Sequence, residues 1–201
     1  MAEKIVMFGD SLTFGYGVNK KDSITSLISE KTGLTVINSG VNGDNTRNAL
    51  RRIEKDVISH NGNIVTVLFG SNDSAPSEFY YVTPYEFEEN INKIIEVIKK
   101  AQPSSQIILI TPPPVDDTVF MPYTTNKRLS KYCDIIRKIA NEQSLPLCDF
   151  NAYLTFASQG NIEKYLQDDG THLSEEGYKC FEECLYDVIK NTYKNKAVSL
   201  T

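Results

Sequence analysis

The sequence has no long hydrophobic segment and no excess of basic residues. None of its apolar runs approaches the roughly 18 residues that a membrane-spanning helix needs. Residues 1–4 lead directly into a predicted strand, without the charged and apolar regions of a signal peptide. The formal net charge is −5, so no basic surface is evident for binding phosphates along a nucleic acid. We therefore expect a cytoplasmic protein that binds neither membranes nor nucleic acids.

Cysteine and histidine are both scarce. The four cysteines are too few and too irregularly spaced for a disulfide framework: Cys133, Cys148, Cys180 and Cys184. Although Cys180 and Cys184 lie one helical turn apart, no CxxC pair or nearby histidine completes a zinc site. We predict reduced, buried thiols and no metal site. Only two histidines, His60 and His172, are available for acid–base chemistry.

The hydrophobic pattern is that of one globular α/β domain. Of the 201 residues, 40% are hydrophobic and 23% are charged, which is ordinary for a single soluble domain. Apolar strands are predicted at 4–8, 34–37, 64–69, 107–110 and 145–148, and helices at 23–31, 46–60, 84–100, 126–142 and 174–193. This alternation predicts a doubly wound, five-stranded parallel sheet with the flavodoxin-like order 2-1-3-4-5. We assign residues 1–193 to the domain and 194–201 to a C-terminal tail.

The first strand ends in small polar residues. Residues 4–8 are largely apolar, as in a central strand covered on both faces, and Gly9, Asp10 and Ser11 follow. In such sheets, ligands bind outside the carboxyl ends of the strands. Ser11 is therefore a candidate nucleophile in a crevice, although an ordinary turn uses the same residue types.

His172 has the better sequence context for a catalytic base. It lies in a polar turn before the last predicted helix, with Asp169 three residues earlier and Gly170 between them. That spacing lets the carboxylate accept the Nδ1 hydrogen so that Nε2 faces a serine. The alternative is a helix-capping turn without chemistry. His60 falls at a predicted helix end, where a structural or surface role is expected.

Two further strand exits offer hydrogen-bond donors. Serine attack on a carbonyl builds negative charge on its oxygen, which donors already in place must stabilise. Gly43 offers an open backbone amide after the second strand, and Asn72 offers a neutral side-chain amide after the third. The Ser11 backbone amide would be a third donor. Taken singly, Gly43 and Asn72 also fit ordinary turns.

Together, four ordered blocks resemble the GDSL or SGNH hydrolase family. The blocks are Gly9-Asp10-Ser11-Leu12, Gly40-Val41-Asn42-Gly43, Gly70-Ser71-Asn72-Asp73 and Asp169-Gly170-Thr171-His172. They span nearly the whole chain. Within the family, residues 68–73 and 169–178 are most similar to the small isoamyl-acetate-hydrolysing type of esterase.

The resemblance implies a three-layer α/β/α fold and a serine hydrolase that acts on carboxylic esters. It implies Ser11 as nucleophile, His172 as base and Asp169 as the acid that orients it. It also implies an oxyanion hole from the Ser11 and Gly43 amides and the Asn72 side chain, with no metal or organic cofactor. The extra acid Asp168 departs from the family pattern and is a second candidate for the acid that orients His172, although spacing favours Asp169. Asp149 is a poorer candidate for that role. The absence of a GxSxG motif is consistent with this family.

Two aromatic segments follow strand ends on the catalytic side. Segments 74–83 and 115–125 could form an apolar rim for small acyl or alcohol groups. Packing under long loops, or a subunit contact in a homodimer, is the alternative. The candidate substrate contacts are Asp10, Phe79, Tyr80, Tyr81, Phe120 and Met121.

Other functions use the same features. A carbohydrate O-deacetylase, a thioesterase or a lysophospholipase would share the Ser11, His172 and Asp169 arrangement. A flavodoxin-like binding module would share only the sheet. Residues 15–20 resemble a dinucleotide-binding loop, but Lys20 stands where that motif requires its third glycine.

Overall fold

The protein is built on one parallel sheet in the predicted order. A computed structural model describes residues 3–120 and 122–198, with 193–198 as backbone only. The strands are β1 (Lys4–Gly9), β2 (Thr35–Gly40), β3 (Ile64–Leu68), β4 (Gln106–Ile110) and β5 (Leu147–Cys148). Their order in the sheet is β2-β1-β3-β4-β5, all parallel, which confirms the prediction.

Helices and turns connect these strands. The helices are α1 (Ser11–Phe14), α2 (Ile24–Thr32), α3 (Thr46–Asp56), α4 (Ser71–Ser74), α5 (Pro84–Ala101), α6 (Asn126–Glu142), α7 (Phe150–Ser158) and α8 (Glu175–Val198). Short 3₁₀ turns span Lys20–Asp22, Ile58–His60 and Ile162–Tyr165. None of the helices within the described residues is both long and apolar enough to cross a membrane.

Two hydrophobic cores, one on each face of the sheet, produce three layers. Successive residues of a strand point to opposite faces, so β1 contributes to both cores. Val6 and Phe8 pack with apolar residues of α3, α5 and α6. Ile5 and Met7 pack with those of α2, α7 and α8. The α/β/α architecture follows from a central strand that is apolar on both faces.

The register of β1 brings the strand exits together. Gly9 pairs with Gly40 of β2 and with Leu68 of β3, so all three strands end at one edge. A Cβ on Gly9 would lie 2.1 Å from Thr13 Oγ1 and 2.7 Å from the Leu68 carbonyl oxygen. Only glycine therefore fits where the chain leaves β1 and begins α1.

The structure departs from the sequence-based boundaries in several elements. Strand β5 has two residues, and the segment predicted as one helix at 46–60 is α3 followed by a 3₁₀ turn. Helix α7 is absent from the sequence-based prediction, because Phe156 is exposed and the segment has no simple apolar stripe. Helix α8 continues to Val198, five residues beyond the predicted end at 193. Of the predicted tail, residues 199–201 lie outside the described residues.

The cysteines are free thiols in the structure. Cys133, Cys148 and Cys180 are buried, whereas Cys184 is half-buried. The Sγ atoms of Cys148 on β5 and Cys184 on α8 lie 3.3 Å apart.

Candidate active site

Ser11 is the first residue of the single helical turn α1, directly after β1. Asp10 caps this turn, because its Oδ1 accepts a hydrogen bond from the Leu12 amide at 2.9 Å. Gly15, with a φ of 92°, ends it. The turn holds the Ser11 side chain at the floor of a cleft with 8% of the residue exposed.

The turn before α8 brings an imidazole and a carboxylate to this serine. Asp169 Oδ1 accepts the backbone amides of Thr171 and His172, each at 2.9 Å. Its Oδ2 lies 2.6 Å from His172 Nδ1, and His172 Nε2 lies 2.9 Å from Ser11 Oγ. The structure therefore brings Ser11, His172 and Asp169 into one line of hydrogen bonds.

The charge of Asp169 fixes the imidazole tautomer. Burial opposes ionisation of this carboxyl, but hydrogen bonds from the His172 side chain and from the His172 and Thr171 amides outweigh it and lower the pKa of Asp169. An ionised carboxylate requires the proton on Nδ1, which leaves Nε2 as an acceptor for the Ser11 hydroxyl.

The other candidate acids and the second histidine do not take these positions beside Ser11. Asp149 forms a bidentate ion pair with Arg137 at 2.8 and 2.9 Å and caps α7. Asp168 lies at the cleft edge, while Asp169 is the acid at His172 Nδ1. His60 lies in the 3₁₀ turn that precedes β3, at the opposite end of the sheet from the strand exits.

Long-range contacts hold the serine and histidine segments together. Gln167 Nε2 donates to the carbonyls of Tyr16 at 2.9 Å and Leu173 at 2.8 Å. The buried Tyr178 hydroxyl of α8 donates to the Leu12 carbonyl at 3.0 Å. These bonds tie α1 to the turn that carries His172, although the two segments are far apart in the chain.

Gly43 and Asn72 line the same cleft as Ser11. Gly43 has a φ of 75°, which favours glycine, and the position of a Cβ there would be 3.4 Å from the Tyr80 ring. Asn72, on α4, is 4% exposed. The structure therefore brings both residues to the cleft, as the order of the strand exits predicts.

Three acidic residues lie beneath the cleft. Burial raises the pKa of Asp10 to about 7 and that of Asp73 to about 6, and it also raises the pKa of Asp44. Arg52 stabilises this region, because it pairs with Asp44 at 2.6 Å and donates to the Gly9 carbonyl at 2.8 Å. No pattern in the sequence signals these contacts, which depend on how α3 packs beside β1.

The cleft has a volume of about 580 Å³, and its lining combines aromatic and aliphatic side chains with polar ones. Of the predicted rim residues, Tyr80 and Phe120 line it. Its other apolar lining residues are Leu12, Tyr16, Val119 and Tyr123. Sequence reasoning does not select Tyr16 or Val119; the position of Tyr16 just after the first block is the one signal that could have found it.

Three of the predicted substrate contacts are not among the residues that line the cleft, and a fourth lies outside the described residues. Asp10 is 0% exposed, because its carboxylate turns inward to cap α1. Phe79 is 86% exposed and is not among the residues that line the cleft. Tyr81 lines a separate groove, where its ring lies 5.9 Å from the Arg128 guanidinium. Met121 lies outside the described residues.

Comparisons with known proteins agree on one family. Residues 7–180 match the profile of the GDSL-like Lipase/Acylhydrolase family. A GDSL esterase/lipase of Arabidopsis thaliana is 31% identical, over 91% of this chain and 84% of that protein. The isoamyl acetate-hydrolyzing esterase of Saccharomyces cerevisiae is 30% identical, over 95% of this chain and 87% of that protein. The crystal structure of a lipase/acylhydrolase from Enterococcus faecalis superimposes with a TM-score of 0.84 at 28% identity, over 94% of this chain and 96% of that one.

Proposed function

This chain belongs to the GDSL-like lipase/acylhydrolase family of carboxylic ester hydrolases, and on that premise we propose that it hydrolyses small carboxylic esters through an acyl-enzyme on Ser11. The observation that carries the proposal is the line of hydrogen bonds from Ser11 Oγ to His172 at 2.9 Å and from His172 to Asp169 at 2.6 Å. A nucleophile, a base and an acid that orients the base are the parts that acyl transfer requires.

The reaction runs in two halves. Ser11 Oγ attacks the ester carbonyl carbon while its proton moves to His172 Nε2, and Asp169 stabilises the imidazolium. When the tetrahedral intermediate collapses, the C–O bond to the leaving alcohol breaks and His172 returns the proton to that alcohol. His172 then takes a proton from water, which attacks the acyl-enzyme, and collapse of the second intermediate releases the acid and restores Ser11.

Three groups serve as the oxyanion hole in this mechanism. They are the backbone amides of Ser11 and Gly43 and the side-chain amide of Asn72. The assignment is supported by the presence of all three residues in the lining of one cleft. Removing one such donor from a serine hydrolase typically lowers kcat by about 10²- to 10³-fold.

The shape of the cleft supports small substrates. Its volume of about 580 Å³ is within the range for small-molecule sites, and aromatic and aliphatic side chains form part of its wall. We propose short acyl and alcohol groups as the substrate class. The esterase relatives described above do not favour a carbohydrate O-deacetylase.

Composition and surface features support three further proposals, on location, on nucleic acid and on self-association. Four free thiols suit a reducing compartment such as the cytoplasm, and the net charge of −5 disfavours nucleic acid as a partner. The exposed Phe79 and Phe120 would suit a contact in a homodimer.

The central test is labelling followed by a substrate panel. We expect a fluorophosphonate to modify Ser11, and Ser11→Ala to lower kcat by about 10⁴-fold or more without unfolding the protein. The exposed Ser130→Ala on α6 is the matched control and should retain labelling. In a series of p-nitrophenyl esters, acetate and butyrate should be cleaved faster than long-chain esters.

Two results would contradict this proposal. Near-native hydrolysis by Ser11→Ala would remove Ser11 from the mechanism. A preference for long acyl chains over acetate or butyrate would refute the small-substrate class while leaving the nucleophile in place.

A further inference from the structure

The side-chain amide of Asn72 is held by hydrogen bonds at both ends. Its Nδ2 donates to the Asp44 carbonyl at 2.9 Å and to Asp10 Oδ2 at 3.2 Å. Its Oδ1 accepts a hydrogen bond from the Tyr123 hydroxyl at 2.8 Å. Three contacts therefore fix which end of this nearly buried amide is nitrogen and where its hydrogens point.

The two Nδ2 hydrogens already have acceptors in this structure. An oxyanion must therefore share one of them or displace its acceptor. The bond to Asp10 is the longer of the two, and we take it as the contact that an oxyanion exchanges. Asn72 is then an effective donor only if the rest of its amide stays in place during that exchange.

Tyr123 is the contact suited to keep it in place. An amide oxygen can only accept, so the phenolic hydroxyl must be the donor in this pair. Burial raises the pKa of Tyr123, which keeps that hydroxyl protonated at any working pH. A donor on the carbonyl end of an amide also polarises it and strengthens its N–H groups as donors.

We propose that Tyr123 is a positioning residue of the oxyanion hole, which orients and polarises the Asn72 amide through the hydrogen bond to its Oδ1. This inference rests on the ester hydrolysis proposed above. It adds a residue from segment 115–125 to the machinery formed by the strand exits. Loss of the Tyr123 hydroxyl would leave a buried amide oxygen without its donor, and only the Nδ2 contacts would then hold the amide in place.

The Tyr123 hydroxyl has a second conceivable role, which the experiment must distinguish from positioning Asn72. Tyr123 lines the cleft, so its hydroxyl could contact the ester directly. A double-mutant cycle distinguishes the two, because a residue that acts through Asn72 loses its effect when Asn72 is absent.

The experiment compares the wild-type protein with Tyr123→Phe, Asn72→Ala and the double variant, using p-nitrophenyl acetate. We expect Tyr123→Phe to lower kcat about tenfold, the scale of one lost hydrogen bond, with KM changed less than twofold. In the Asn72→Ala background, the same substitution should change kcat by less than about twofold.

Tyr132→Phe is the matched control for losing a tyrosine hydroxyl. The Tyr132 hydroxyl is buried and donates to the Val82 carbonyl at 2.6 Å, away from the cleft lining. This variant should lower thermal stability but keep kcat within about twofold of wild type. Circular dichroism checks that each variant is folded; if Tyr123→Phe is not, Tyr123→Met takes its place in the same cycle.

Two results would overturn the inference. An equal fold-loss in both backgrounds would mean that Tyr123 acts independently of Asn72, and an unchanged kcat for Tyr123→Phe would mean that its hydroxyl has no part in the reaction. Failure of the proposed function is visible separately, as a wild-type protein that neither cleaves the ester nor reacts with a fluorophosphonate at Ser11.

Discussion

At the scale of the residue, Asp169 has two separate tasks. Its Oδ1 accepts two backbone amides and shapes the turn, whereas its Oδ2 accepts the Nδ1 hydrogen of His172. Asp169→Asn keeps an oxygen for the turn but replaces the other acceptor by an NH₂ group. We expect kcat to fall by about 10³- to 10⁴-fold, because the histidine then adopts the wrong tautomer. Steady-state hydrolysis of p-nitrophenyl acetate measures this.

Asp168→Asn is the matched control, since it removes the same charge one residue earlier. We expect its loss of kcat to be at least about tenfold smaller than that of Asp169→Asn, because Asp169 is the acid at His172 Nδ1. Equal losses from the two variants would contradict the assignment of Asp169 as the orienting acid.

Single residues also show how far the sequence could predict the site. Ser11, Gly43, Asn72 and His172 stand next to predicted strands or a predicted helix, so topology alone brings them to one edge. The inward turn of Asp10 and the bond from Tyr123 to Asn72 depend on side-chain directions within loops. Composition and periodicity carry no information about those directions.

At the scale of the element, Gly177 determines how closely α8 packs. A Cβ on this helical residue would lie 2.1 Å from the Tyr165 carbonyl oxygen and 3.1 Å from Leu173 Cβ. In an unobstructed helix, Gly→Ala stabilises by about 0.5–1 kcal/mol. At this position we expect the opposite sign, a loss of about 1–3 kcal/mol from overpacking, measured as the free energy of unfolding in urea.

Lys179→Ala is the control on the exposed face of the same helix. Its free energy of unfolding should stay within about 0.5 kcal/mol of wild type. A Gly177→Ala variant that is more stable than wild type would show that α8 has room to move away from the 3₁₀ turn at Ile162–Tyr165.

The elements that sequence reasoning finds are those with strong periodicity. Helix α5 combines Pro84 in its first turn with a continuous buried stripe, and its predicted span of 84–100 agrees with the observed one to within a residue. Helices α1 and α4 are single turns of four residues, too short to show a periodic pattern. Helix α7 also lacks one, because it exposes Phe156.

At the scale of the whole molecule, the buried carboxyls make stability depend on pH. Burial raises the pKa of Asp10 to about 7 and of Asp73 to about 6, above the value of about 3.9 expected in the unfolded chain. At a pH between the unfolded and the folded pKa values, the folded protein therefore binds more protons than the unfolded one. Their contribution to stability is complete below about pH 4 and is lost as the pH rises to about 7.

Carboxyls with a lowered pKa have the opposite effect on how stability depends on pH. Asp149, Asp169 and Glu86 contribute stability above the unfolded pKa of about 4, and this is lost as the pH falls further. We therefore expect the melting temperature to be higher at pH 5 than at pH 8. Thermal scans at the two values measure the difference.

Asp73→Asn should reduce the difference in melting temperature between pH 5 and pH 8, because it removes one of the titrating groups. Asp187→Asn, on the exposed face of α8, changes the charge equally and should leave the difference intact. A melting temperature that rises steadily from pH 5 to pH 8 would contradict the raised pKa values of Asp10 and Asp73.

The sheet order is predictable because it follows from connectivity. Strand–helix alternation with right-handed crossovers leaves few topologies, and the apolar run of β1 marks it as central. Its partners β2 and β3 confirm that position. The shape of the cleft is not predictable to the same degree, because segment 115–125 contributes Val119, Phe120 and Tyr123 without a secondary-structure pattern.

The separation of 161 positions between Ser11 and His172 has a consequence for biosynthesis. A ribosome makes the hydroxyl early and the imidazole late, at about 5–20 residues per second. A growing polypeptide can begin to form its first strands, yet it holds only half of the machinery. In the proposed mechanism, hydrolysis therefore begins only after the segment that carries His172 has emerged and docked, and a shorter nascent chain would be inactive towards esters.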